Sequence, residues 1–202
     1  VNPRESCEFC REINLKIGDS TPYGSIIIYK IGNIENGWFA TLSPRTGGDP
    51  SENFTLQLMP FSHLTHFSQL SEKSAKNFGI AFAKLSDTMS RIMTKNPALK
   101  FAVDKREDGI ALCVYGKCTT WKMKKEHLHL KLFQFRGDLS QPSIVDSTFG
   151  RKEIFSNDKE NYVKMTPVKK VAIDNINEIA KELINILTNI SSEKLATGDN
   201  DD

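Results

Sequence analysis

The apolar residues of this chain keep two rhythms. In "SIIIYKI" (25–31), "GWFATLS" (37–43) and "NFTLQLMPF" (53–61), β-branched and aromatic residues crowd into short runs separated by the turn-forming stretches "GNIENG" and "SPRTGGDPSE". Such runs predict three strands. From Ser71, a residue suited to capping a helix, Ala75, Phe78, Phe82, Leu85, Met89 and Ile92 step by three and four, which predicts one apolar stripe on a helix ending near "KNP". "LKFAVD" (99–104), "GIALCVYG" (109–116) and "EHLHLKLFQF" (126–135) return to the strand rhythm. From Asp174, the spacing of Ile176, Ile179, Leu183, Leu187 and Ile190 predicts a second helix with one apolar face.

Strands, helix, strands and helix, joined by links too short for parallel crossovers, predict an α+β fold built on an antiparallel sheet. At 202 residues, with nothing repeating at a fixed period, the chain can bury one good core. The expected organisation is a main domain over 1–136, a C-terminal extension over 137–193 whose helix packs on that domain, and a disordered tail over 194–202. Residues 136–170 are mixed and polar and predict no definite element.

The sharpest alternation is "HLHLKLF", which sets His127, His129 and Lys131 on one strand face and Leu128, Leu130 and Leu132 on the other. The chain has four histidines, and the other two, His63 and His66, share the short segment "MPFSHLTHFSQL". Near the N-terminus Cys7 and Cys10 have the spacing of a zinc knuckle. Zinc takes four N or S ligands in a tetrahedron, so two thiolates and one histidine from each later segment would fill its shell. That leaves one strand histidine for chemistry. Of the remaining thiols, Cys113 lies in an apolar strand and reads as a packed side chain, while Cys118 beside a turn has no assigned role.

Composition narrows the partners. Twenty-seven Lys and Arg against 25 Asp and Glu leave a net charge of +2, too balanced for a general nucleic-acid or membrane footprint. No apolar run approaches the ~20 residues of a membrane helix, and "VNPRESCEFC" lacks the apolar centre of a signal peptide, so a cytoplasmic chain with reduced thiols is expected. Locally the balance shifts: "KCTTWKMKKE" contributes Lys117, Lys122, Lys124 and Lys125, and Arg136 follows the strand. A phosphate-bearing substrate would suit this cluster, with Trp121 able to stack a base. A neutral imidazole held through one ring nitrogen can attack phosphorus with the other, which casts His129 as a nucleophile and Lys131 as the group offsetting charge on the phosphoryl oxygens.

"HLHLKLF" resembles the His-φ-His-φ-X-φ-φ signature of the histidine-triad (HIT) superfamily. "CEFCREI" resembles the CxxC opening of its zinc-containing members, and "MPFSHLTHFSQLS" resembles their Pro-x-x-His segment before a long helix. These three ordered motifs span roughly residues 5 to 136. The resemblance implies a HIT-like antiparallel sheet flanked by helices, structural zinc on Cys7, Cys10, His63 and His127, and His129 as the residue that becomes nucleotidylated. It selects His63 over His66 because His63 stands three residues after Pro60. It also implies a nucleotide or nucleotide-sugar substrate and, as is common in the hydrolase branches, a homodimer. The extended C-terminus is closest in layout to the branch that resembles galactose-1-phosphate uridylyltransferase.

Two departures from the family pattern stand out. The third triad position is Lys131 rather than His, Gln or Glu, and "KMKKE" stands where the family has a small-residue loop of the Gly-x-Ser kind. The leading expectation is a zinc-stabilised nucleotidyl transferase or nucleotide phosphohydrolase, with His129 and Lys131 catalytic and Lys122, Lys124 and Arg136 binding substrate. The alternative is a non-catalytic member that keeps the fold and binds a nucleotide or RNA. A third reading, thiol–disulfide chemistry at Cys7 and Cys10, requires a redox-active pair in place of tightly held zinc.

Overall fold

The three N-terminal apolar runs form strands β1 (Ile26–Ile31), β2 (Trp38–Leu42) and β4 (Thr55–Pro60), with a two-residue strand β3 (Arg45–Thr46) between the last two. A five-residue helix α1 (Glu8–Glu12) precedes them. Helix α2 (Glu72–Lys95), strands β5 (Leu112–Lys117) and β6 (His129–Gln134), and the C-terminal helix α3 (Ile173–Ala196) follow the remaining periodic segments. The structure is a computed structural model that describes residues 7–46, 54–95, 112–117, 126–134, 144–147, 150–157, 160–166, 169–170 and 173–196. The strand expected at 99–104 and most of the tail lie outside them.

Five strands pair in the order β1-β2-β4-β6-β5, antiparallel at every junction. One face meets both long helices. Trp38, Ala40 and Leu42 of β2, Leu56 and Leu58 of β4, and Leu128, Leu130 and Leu132 along β6 bury themselves there against Ala81, Leu85, Met89 and Ile92 of α2 and Ile176, Leu183, Leu187 and Ile190 of α3. The opposite face is apolar at one end, where Ile27, Phe39, Met59 and Phe61 receive Phe9, Ile13 and Leu15 from the N-terminal segment. Lys30 fastens that segment by donating to the carbonyls of Ile13 and Leu15 at 2.5 and 2.9 Å.

Helix α2 departs from the expected stripe at its first turn. Ala75 is exposed, and Ser74 takes the inner position. The indole Nε1 of the fully buried Trp38 donates to the backbone Ser74 O at 2.9 Å, and the Ser74 hydroxyl oxygen adds a second acceptor at 3.1 Å. Upstream, the tight β1–β2 connection relies on Gly37, whose N–H donates to Asn33 O at 2.6 Å. A Cβ there would collide with the Phe61 ring.

Residues 136–170 hold more structure than their sequence suggests. Strands β7 (Ile144–Ser147), β8 (Gly150–Asn157) and β9 (Glu160–Thr166) form a three-stranded antiparallel sheet, and the short β10 (Lys169–Lys170) pairs with β3. In "GRKEIFSN" the charged Arg151, Lys152 and Glu153 and then the apolar Ile154 and Phe155 stand side by side, and Tyr162 and Val163 do so in "ENYVKMT", so neither segment shows the period-two signal.

Leu132 is fully buried between the sheet and the helices. Leu132→Ala should therefore destabilise the protein by about 2–5 kcal/mol in urea titration. Ala75→Lys, on the exposed side of α2, should stay within about 0.5 kcal/mol.

Candidate metal centre

Three chain segments separated by long intervals converge beside the N-terminal end of β6. Cys7 is the N-cap residue of α1 and Cys10 lies one turn on, so the CxxC spacing turns both sulfurs toward the same side of the helix. His63 sits in the turn just after β4. His127 precedes β6, and the backbone N–H of its neighbour Leu128 donates to Leu64 O at 2.6 Å, which locks the two histidine segments together.

The donor atoms of Cys7, Cys10, His63 and His127 all lie within 4.8 Å of one another. His127 Nδ1 is 3.4 Å from Cys7 Sγ and 3.5 Å from Cys10 Sγ, and His63 Nδ1 is 3.3 Å from Cys10 Sγ. A tetrahedral zinc shell, with bonds of ~2.3 Å to sulfur and ~2.0 Å to nitrogen, places sulfur and nitrogen ligands roughly 3.6 Å apart. The four residues fit that shell closely, and two thiolates with two imidazoles are a zinc donor set. The protonation pattern agrees. His127 Nε2 donates to Pro60 O at 2.9 Å, so its proton is on the outer nitrogen and the Nδ1 lone pair faces the sulfurs. His63 Nε2 is buried with no hydrogen-bond partner among the described residues, so its inward Nδ1 is the nitrogen with a defined task.

His66, the competing histidine, has a different role. It caps the 3-10 turn Phe67–Gln69: its Nδ1 accepts from Ser68 N at 3.1 Å, while Gln69 Oε1 accepts from His66 N at 3.0 Å. The preference for His63 therefore stands on geometry as well as on motif.

His129 lies one strand repeat beyond His127 on the same face and is 7% exposed. Its Nδ1 donates to His127 O at 2.9 Å, which places the lone pair of the neutral ring on Nε2. Phe9, between the two cysteines in sequence, touches both strand histidines, with ring centroids 5.6 Å from His127 and 5.3 Å from His129. Lys131 follows on that face and is half-buried. Cross-strand register sets it in one row with Thr41 and Gln57, and Tyr115 pairs with it from β5. Thr41 Oγ1 donates to Gln57 Oε1 at 3.3 Å within this buried polar row. Lys117 is registered opposite His129. Lys122, Lys124, Lys125, Arg136, Trp121 and Cys118 lie outside the described residues, and Cys113 is placed only by its backbone, opposite Phe133.

Phe9, Gln57 and Glu12 escaped the sequence reading. Phe9 could have been flagged by its place inside CxxC; Gln57 and Glu12 carry no local signal. Burial raises the Glu12 carboxyl from 4.5 to about 7, opposed by a hydrogen bond from Thr21 and reinforced by Glu8. Burial also lowers His127 from 6.5 to about 4, with the His63 and His129 rings adding to the shift and the bond to Pro60 opposing it.

No family model matches the chain, and no curated protein matches it. Among solved structures, a zinc-bound histidine triad family protein from Mycobacterium smegmatis aligns over 94% of this chain and 99% of its own, at 16% identity and a TM-score of 0.49.

The purified protein should carry about one zinc per chain by elemental analysis. Cys10→Ala and His63→Ala should each abolish that stoichiometry, whereas His66→Ala should keep it and cost about 1 kcal/mol as a lost cap. In metal-free protein the two shifted groups have opposite effects on stability. Folded His127 rejects a proton that the unfolded chain binds between about 4 and 6.5, so its contribution is lost as pH falls. Folded Glu12 keeps a proton that the unfolded chain has released between 4.5 and about 7, so its contribution is lost as pH rises. Glu12→Gln should remove the second slope alone. The variant's stability relative to wild type should climb by on the order of 1 kcal/mol per pH unit across that window in urea titrations of chelated protein.

Proposed function

We propose that the protein is a nucleotidyl transferase or nucleotide phosphohydrolase that works through a nucleotidyl-histidine intermediate on His129. The observation that carries this reading is the bond from His129 Nδ1 to His127 O, which orients a buried imidazole with its Nε2 lone pair directed away from the strand backbone. The three ordered motifs that resemble the HIT superfamily support it independently of that geometry.

Nε2 of His129 attacks the α-phosphorus of a nucleotide or nucleotide sugar. A P–N bond forms as the P–O bond to the leaving group breaks, and the electron pair departs on that oxygen. Water, losing its proton to solvent, or a sugar phosphate through an anionic oxygen then attacks the same phosphorus, and the P–N electron pair returns to Nε2. Lys131, two residues along the same face, offsets the charge that builds on the phosphoryl oxygens, and the polar row formed with Gln57 and Thr41 extends the contact surface beside it. Lys122, Lys124 and Arg136 complete the proposed substrate contacts. Zinc held by Cys7, Cys10, His63 and His127 would be structural, tying α1, the His63 turn and the start of β6 together. Lys131, at the position where the family has His, Gln or Glu, sets this chain apart, and the extended C-terminus is what gives it the uridylyltransferase-like layout. A homodimer in the cytoplasm completes the proposal; among the described residues, no helix is long and apolar enough to cross a membrane.

Incubation with nucleoside diphosphate sugars, dinucleoside polyphosphates and nucleoside phosphoramidates should yield a nucleotidyl adduct by intact-mass spectrometry, mapped to His129. His129→Ala should lower adduct formation on the order of 10³-fold or more, and Lys131→Ala on the order of 10²-fold. Nucleotide binding with no adduct, indifferent to His129→Ala, would instead establish the non-catalytic alternative.

A further inference from the structure

Phe9 is the one described residue whose ring touches both a metal ligand and the proposed nucleophile. It lies two residues after Cys7 and immediately before Cys10, on a helix of five residues. A helix this short does not hold its own shape in water, so its position depends on what anchors it. Two anchors are visible: the thiols directed at His63 and His127, and the packing of Phe9, Ile13 and Leu15 on Ile27, Phe39, Met59 and Phe61. On the other side, the His129 ring is fixed at Nδ1 by the carbonyl of His127. The Phe9 ring packs against that imidazole with its centroid 5.3 Å away and its plane tilted by 50°, so it bounds the space in which the ring can turn.

We propose that Phe9 is a positioning residue that clamps the His129 ring, and that its place between two metal-ligating cysteines makes the orientation of His129 depend on an occupied zinc centre. The role of His129 as nucleophile rests on the function proposed above; the clamp itself is a statement about ring mobility and can be read without any nucleotide. Its consequence is that metal content controls how well His129 is aimed and shielded, in addition to how stable the fold is.

The experiment uses full-length protein and diethylpyrocarbonate, which acylates accessible neutral imidazole nitrogens. Carbethoxylation of His129 is followed by peptide mass mapping, in parallel with zinc content, circular dichroism and nucleotidyl-adduct formation. With zinc bound, Phe9→Leu should keep the metal and the folded spectrum yet raise the His129 carbethoxylation rate about threefold or more, while Phe9→Tyr, which retains the ring, should restore the wild-type rate. Chelating the zinc should raise the rate in wild type and add little further in Phe9→Leu, because both changes release the same clamp. An unchanged rate in zinc-loaded Phe9→Leu, or equal increments on chelation in both proteins, would overturn the inference. If chelation unfolds the chain, the comparison of Phe9→Leu with Phe9→Tyr in zinc-loaded protein decides alone. If the carbethoxylation pattern holds but wild type forms no nucleotidyl adduct, the clamp stands and the proposed reaction falls.

Discussion

Strand β6 has to serve two interiors at once. Its leucines complete the apolar core against both long helices, while its histidines and lysine line a polar face on the other side of the sheet. A side-chain period of two permits this division but leaves no tolerance in register, since a slip of one residue would send His127 and His129 into the leucine core and three leucines into the polar row. The pairing with β4 fixes the register through Leu56, Gln57 and Leu58, and the bond from Leu128 N to Leu64 O fixes where the strand begins. The metal centre and the placement of His129 both depend on that register.

The second face of the sheet shows how a polar surface can lie inside a small protein. At its apolar end, the N-terminal segment covers Phe39, Met59 and Phe61 and is held by Lys30. At its polar end, Thr41, Thr46, Thr55 and Gln57 are buried, and their side chains bond one another: Thr41 with Gln57, and Thr46 with Thr55 at 3.3 Å. Buried polar groups persist where partners are present. The boundary between the two ends runs past His129, which therefore has an aromatic ring on one side and a polar row on the other.

Much of the frame was legible in the chain because both periodicities are strong where burial is one-sided. Helices α2 and α3 and strands β1, β2, β4, β5 and β6 appear close to their expected spans. The exceptions have physical causes. Ser74 stands in place of Ala75 on the inner face of α2, where its carbonyl and hydroxyl oxygens both accept from the Trp38 indole, a polar contact that no hydrophobicity pattern expresses. Strands β7 to β9 escaped notice because like residues stand side by side in β8 and β9, as in Arg151-Lys152-Glu153 and Ile154-Phe155, in place of an alternation. Cys7, Cys10 and the two histidine segments could be read from residue type and spacing, and the family resemblance singled out His63 and His127 within them, whereas Phe9 and Gln57 acquire meaning only once the strands are paired. The basic cluster at 122–125 falls outside the described residues.

The order of these parts along the chain bears on how the protein assembles during synthesis. The last zinc-binding residue, His127, is made well before α3 begins at Ile173, yet α3 supplies one wall of the core on the far side of the same sheet. All four candidate metal ligands are therefore made before the helix that packs on β1 and on α2. Until α3 is made, the sheet lacks that wall of its core. The pairing of Thr46 with Lys169 closes the chain at the end of this sequence, joining an early loop to the lead-in of the final helix.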